Sequence, residues 1–229
     1  MTTTTATFTD RLREAARPIW DAQFAHPFVS AVGDGTLPRE VFTFYIRQDA
    51  RFLDELAKCF AFAATKTNDQ AEMEYFGERM LHTLAVERAL HQQYAAQFGV
   101  TVPEMMRTPL APTTYAYTRH LLAIASRDSL AAVITAMLPC AWIYAEVGTH
   151  FTRLLGGNPP AAHPYADWLS TYASPEFADV GAWMRALVNR DAARLPEAGR
   201  QALEEIFVTS SRYEYMFWEM ALKMEQWPV

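Results

Sequence analysis

Cys140 follows Pro139 within Ala136-Met137-Leu138-Pro139-Cys140-Ala141-Trp142-Ile143-Tyr144-Ala145-Glu146-Val147-Gly148, an apolar stretch of helical character. Proline has no N–H, so the carbonyl one turn earlier loses its donor and the helix axis is pushed aside next to the sulfur. Residues four apart share a helix face, which sets Ala136, Cys140 and Tyr144 on one stripe, with small Ala136 leaving room beside the thiol. Such a cysteine is either a nucleophile at the edge of a cavity or a buried, inert side chain behaving as a small hydrophobe.

Two carboxylates pose the same alternative. Asp49 shares a face with Tyr45, Phe52, Leu53 and Leu56, where the pattern asks for an apolar side chain. It is either satisfied inside the core by a tyrosine or a backbone amide, or it belongs to a site. Glu214 interrupts the stripe Leu203, Phe207, Ser210, Phe217, Ala221 and lies in Tyr213-Glu214-Tyr215-Met216-Phe217-Trp218. A carboxyl group among aromatic rings tends to hold its proton and can act as a general acid; a tyrosine-bound structural carboxylate gives the same pattern. Glu87 and His91, four apart, could supply two metal ligands, but a helical di-iron site needs a matching pair on other helices and none occurs, so no metal is expected. Tyr117 and His120 face one way, in a tyrosine stripe that suits a core.

Asp49, Cys140 and Glu214 fall on three long segments whose apolar faces must share one core. A thiol, a proton donor and an orienting carboxylate, walled by tyrosines and tryptophans, describe a pocket for a flat aromatic ligand with covalent chemistry at sulfur. No Gly-rich phosphate loop competes with this reading.

The elements that position these residues follow from Gly and Pro punctuation. Apolar residues recur every three to four positions between the breaks, and no strand-like alternation of any length appears, which predicts an all-α chain of about eight helical segments. The first should begin near Thr9 and Asp10, bend at Pro18 and end by His26-Pro27; Gly33-Asp34-Gly35 makes a turn. Long helices are predicted over about 38–65, with Arg47, Arg51, Asp54 and Lys58 as a solvated face, and over 69–98 with Gly99 as its cap. Further helices carry Tyr117, then Cys140 from near Asp128 to Gly156-Gly157, then Tyr172; the last two start at Ser174-Pro175 and after Pro196.

With 229 residues, 51% hydrophobic and 20% charged, the chain suits one domain with a rich core, read as a disordered lead-in over 1–8 and a single helical domain over 9–229. No apolar run is read as approaching membrane-spanning length, so no membrane partner is expected. A net charge of −6 works against nucleic-acid binding. Two cysteines outside metal-ligand spacing, and an N-terminus without a basic start and apolar block, point to a cytoplasmic protein with free thiols.

His26-Pro27-Phe28-Val29 with Gly33-Asp34-Gly35-Thr36-Leu37-Pro38, Gln48-Asp49, Leu138-Pro139-Cys140 with Tyr144 and Glu146-Val147-Gly148, and Ser210-Ser211 with Tyr213-Glu214-Tyr215 and Phe217-Trp218 together resemble the TenA (thiaminase II) family. The motifs keep that family's spacing over nearly the whole chain. The resemblance implies a multi-helical bundle of the haem-oxygenase type without haem or other cofactor, assembled as a homotetramer. It also implies hydrolysis of thiamin-related aminopyrimidines to 4-amino-5-hydroxymethyl-2-methylpyrimidine for thiamin salvage. In the roles so implied, Cys140 adds to the pyrimidine ring, Glu214 shuttles a proton to a ring nitrogen, and Asp49 holds the amino group and orients the thiol. Tyr117, Tyr144 and Tyr172 match pocket tyrosines that stack on the ring or hydrogen-bond near it. The chain departs from the pattern at Phe52, where many members have a tyrosine; a phenyl ring can stack but cannot donate. Two other classes remain: a non-catalytic pyrimidine-binding or regulatory protein, and a metal-dependent oxygenase on the same scaffold, for which only Glu87 and His91 speak.

Overall fold

In a computed structural model of the chain, residues 6–99, 101, 103–104 and 107–229 are described, those from 86 to 98 by their backbone alone. Among the described residues the regular structure is helical, with no strand. In order the helices are α1 (Phe8–Ala15), α2 (Arg17–Phe24), α3 (Pro27–Asp34), α4 (Arg39–Ala64), α5 (Gln70–Phe98), α6 (Pro112–Arg127), α7 (Leu130–Leu154), α8 (Ala166–Tyr172), α9 (Pro175–Ala192) and α10 (Glu197–Lys223).

The long helices fall where periodicity placed them, but the predicted first helix is two, α1 and α2, and a further helix, α3, follows it and takes in Gly33 and Asp34, which were expected in a turn. Thr7, not Thr9, caps α1, and Asp10 completes a capping box by accepting from the Thr7 backbone. Pro18 does not bend a continuous helix. Its ring would meet the carbonyl one turn back, so α1 stops at Ala15 and Pro18 sits in the first turn of α2. His26-Pro27 ends that segment and also opens α3, whose Phe28 N–H donates to His26 Nδ1 at 3.1 Å. Gly35 closes α3 in the left-handed region at φ 78°, which favours glycine.

The chain divides into two compact units. The first comprises residues up to Gly35 and Ile134–Tyr215, thus most of α7 and α10. Its centre is Trp20, stacked on Phe207 and edge-on to Trp142, with ring centroids 5.5 Å apart in both pairs. Trp20 Nε1 donates to Glu146 Oε2 at 2.9 Å, which satisfies the indole inside the apolar cluster. The N-terminus of α1 is tied to α9 by Thr9 N–H donating to Asn189 Oδ1 at 2.8 Å.

The second unit comprises Thr36–Val133 and Met216–Val229. Here α4 packs along α5 and α6. Tyr45 lies 6.0 Å from Phe217 and 5.9 Å from Trp218 between ring centroids. The expected solvated face of α4 is only partly so: Lys58 is exposed, whereas Arg51 is half-buried and donates to the Thr108 carbonyl at 2.9 Å.

Against the sequence expectation, α7 is long and apolar enough, at a mean hydropathy of 1.7, to cross a membrane. In the fold 72% of that apolar stretch is buried, as in the core helix of a folded domain, while Thr149 and Arg153 towards the C-terminal end of α7 are exposed.

Candidate active site

In the first unit α7 presents the thiol. From Ala131 to Ala141 every residue is buried except Cys140, which is partly accessible. Pro139 lies inside the helix, as the sequence requires, so it cannot donate to the carbonyl of Thr135. Thr135 is itself wholly buried, and its Oγ1 has no hydrogen-bond partner among the described residues. Polar demand is therefore left open one turn before the sulfur. Cys59, on α4, behaves differently: it is fully buried, and burial, with the nearby Glu55 charge, pushes its thiol up to about 12. It stays protonated and unreactive at neutral pH.

Tyr144, one turn after Cys140, is 4% exposed, and its ring centroid lies 4.8 Å from that of Tyr172 on α8. Trp168 and Phe177 extend this wall, at 4.7 and 4.8 Å from Tyr172. The wall depends on Gly148, whose role the sequence reading missed. A Cβ there would stand 2.5 Å from the Tyr172 carbonyl carbon and 2.6 Å from Ala173 N, so only glycine lets α7 meet the end of α8. The signal was a glycine inside an apolar helix. Glu214, in the same unit, is 2% exposed on α10 beside the wholly buried Ser210 and Ser211.

In the second unit Asp49 is 5% exposed on α4, so the pattern break is real. One turn on, Phe52 faces Tyr117 of α6 at 5.0 Å and Phe217 at 5.6 Å. The start of α6 is set by Gln48, a second residue the sequence reading did not single out for a role. Its Nε2 donates to the Pro109 carbonyl and its Oε1 accepts from Ala111 N–H, both at 2.9 Å. Glu225 accepts from Thr113 N–H at 2.9 Å, covering a donor in the first turn of α6.

The structure thus joins Tyr144 to Tyr172, and Phe52 to Tyr117. Among the described residues no group of three His, Cys, Asp or Glu side chains is placed to hold a metal ion. Glu87 and His91 lie outside the residues whose side chains are described.

A sequence model of the TENA/THI-4/PQQC family matches residues 13–224. The chain belongs to that family. It is 38% identical over 221 residues to a Halalkalibacterium halodurans protein named aminopyrimidine aminohydrolase, covering 96% of this chain and 97% of that one. Among solved structures, a TenA homologue from P. horikoshii OT3 superposes with a TM-score of 0.86 at 30% identity, over 95% of this chain and 99% of that chain. A Shewanella denitrificans domain with a heme oxygenase-like fold matches with a TM-score of 0.73 over 96% of this chain and 94% of that one. At 13% identity it speaks for the fold alone. The TENA/THI-4/PQQC membership and the haem-oxygenase-like helical fold are those implied by the motifs around Asp49, Cys140 and Glu214.

Proposed function

We propose that this chain is an aminopyrimidine aminohydrolase of the thiaminase II type, releasing 4-amino-5-hydroxymethyl-2-methylpyrimidine from thiamin-related aminopyrimidines. The observation that carries the reading is the accessible Cys140 on an otherwise buried stretch of α7, in a chain with 38% identity to an aminohydrolase of that name. Cys140 Sγ adds to the pyrimidine ring, and Glu214 delivers a proton to a ring nitrogen, which makes the ring electrophilic enough to accept the thiolate. A positioned general acid of this kind contributes ~10²–10⁴-fold. The group on the exocyclic methylene then leaves, water takes its place, and the thiol is released. Asp49 accepts from the pyrimidine amino group and orients the thiol; Tyr117, Tyr144, Tyr172 and Phe52 line the ring's pocket.

Residues 9–229 act as one catalytic domain, and the enzyme works in the cytoplasm as a homotetramer, which sedimentation at working concentration checks. The test of function is incubation with 4-amino-5-aminomethyl-2-methylpyrimidine and, separately, thiamin, with product followed by chromatography. Release of the hydroxymethyl pyrimidine from either is expected. Tight binding of both without turnover would instead make the chain a pyrimidine-binding protein.

A further inference from the structure

A cavity of about 360 Å³ opens on the first unit, lined by α2, α7 and α9. On α7 its lining residues, Trp142, Glu146, Thr149, His150 and Arg153, recur at helical spacing on a face turned away from the stripe of Ala136, Cys140 and Tyr144. Arg185 of α9 completes it. The charges do not balance. Glu146 is already engaged, accepting from Trp20 Nε1 at 2.9 Å and pairing with Arg13 at 3.4 Å. The Arg153 side chain has no hydrogen bond or ion pair among the described residues, only its backbone carbonyl accepting from Gly156 N–H. The Arg185 guanidinium lies 4.7 Å over the Trp142 ring, and its Nε is buried with no acceptor. The one carboxylate in the lining, Glu146, is thus paired with Arg13 and Trp20, and Asp10, which lies within electrostatic reach of Arg185, is held by Thr7.

We propose that this cavity is a binding site for a small phosphate-bearing anion, separate from the reacting thiol. Planar guanidinium forks match phosphate oxygens, and two forks suit a phosphate dianion better than a single carboxylate. Stacking on Trp142 fixes the Arg185 plane before the ligand arrives, so little freedom is lost on binding. The Thr149 hydroxyl adds a donor at the same wall, and Phe24 with Ala141 and Ala145 supplies an apolar rim for the organic part of a phosphomonoester. The volume lies at the lower end of the range of small-molecule sites, about 300–1,000 Å³, enough for a phosphate with a compact body.

The test is calorimetric titration of the full chain with inorganic phosphate and, in a second arm, phenyl phosphate, in low-salt buffer. Saturable binding is expected in both arms, tighter for phenyl phosphate if the apolar rim is used. Arg153→Met and Arg185→Met should each weaken binding about tenfold or more, the worth of a charge-assisted hydrogen bond. Arg153 is exposed, so Arg153→Met keeps the fold even where the buried Nε of Arg185 makes the other variant costly. Aminopyrimidine turnover by Arg153→Met should equal that of the unmodified chain, which separates this site from the reaction. Absence of saturable binding, or binding undiminished in Arg153→Met, overturns the proposal. So does a fall in sedimentation coefficient on Arg153→Met, which would give the cavity to an acidic side chain of a second copy.

Discussion

Tyr172 reaches Tyr144 in the first unit because Gly148 has no side chain, whereas Phe52 reaches Tyr117 in the second because Gln48 holds the chain entering α6 by both ends of its amide. One wall is set by steric exclusion, the other by hydrogen bonds. The steric device admits no added atom at one point. The polar device needs both partners, and removing it strands the Ala111 N–H.

The difference is broken most strongly at Gln48. Gln48→Leu keeps the volume but leaves the buried Ala111 N–H without a partner, worth about 1–3 kcal/mol, while the carbonyl of the exposed Pro109 can turn to water. A thermal melt should show a loss of about 1–3 kcal/mol. A loss under a few tenths would mean that water replaces the amide. Gly148→Ala comes next. Overpacking costs about 1–3 kcal/mol, set against a gain of about 0.5–1 kcal/mol from replacing glycine within a helix. The clash is with backbone, so it wins. We expect a fall in Tm of several degrees and a raised KM for the aminopyrimidine as Tyr172 moves; a rise in Tm would show that α8 shifts freely.

What could be read from the sequence divides along the same line. Asp49, Cys140 and Glu214 were visible because a polar or reactive group on an apolar stripe contradicts its surroundings, and the long helices because their apolar period is sustained. Gly148 stood within a recognised motif, but its function is a distance to the backbone of α8, which no local pattern encodes. Gln48 sits beside Asp49, yet its partners Pro109 and Ala111 lie some sixty positions along the chain. The end at His26-Pro27 was legible from its proline, but the break at Ala15 escaped because the apolar period survives it and Pro18 reads equally as a bend or as the first turn of a new helix.

Phe52→Tyr sharpens the comparison by adding a hydroxyl to the second wall. A buried hydroxyl costs about 1–3 kcal/mol unless it finds a partner. Because the other residues of the family pattern are present, we expect faster turnover of the aminomethyl pyrimidine with little change in Tm. A loss of both would mean that the pocket has been rebuilt around phenylalanine.

The smallest effect concerns His120, on the helix that carries Tyr117. Burial holds its imidazole below the ordinary value of 6.5. As pH falls through that value the unfolded chain takes up the proton first, so the native state loses stability until the folded value is passed. His120→Gln should flatten the acid limb of Tm against pH, by at most about 1.4 kcal/mol per pH unit. An unchanged slope would place the acid sensitivity elsewhere.

The central claim is that one of two cysteines carries the reaction. Turnover of 4-amino-5-aminomethyl-2-methylpyrimidine by Cys140→Ser and by Cys59→Ala tests it most directly, with binding of the hydroxymethyl product and Tm recorded for both. Cys140→Ser should bind product, melt like the unmodified chain and turn over nothing measurable, because a serine hydroxyl is far less ionised than a thiol. Cys59→Ala should retain turnover with a modest packing loss, its thiol being buried and pushed up to about 12. Turnover by Cys140→Ser within a few fold of the unmodified chain would contradict the account.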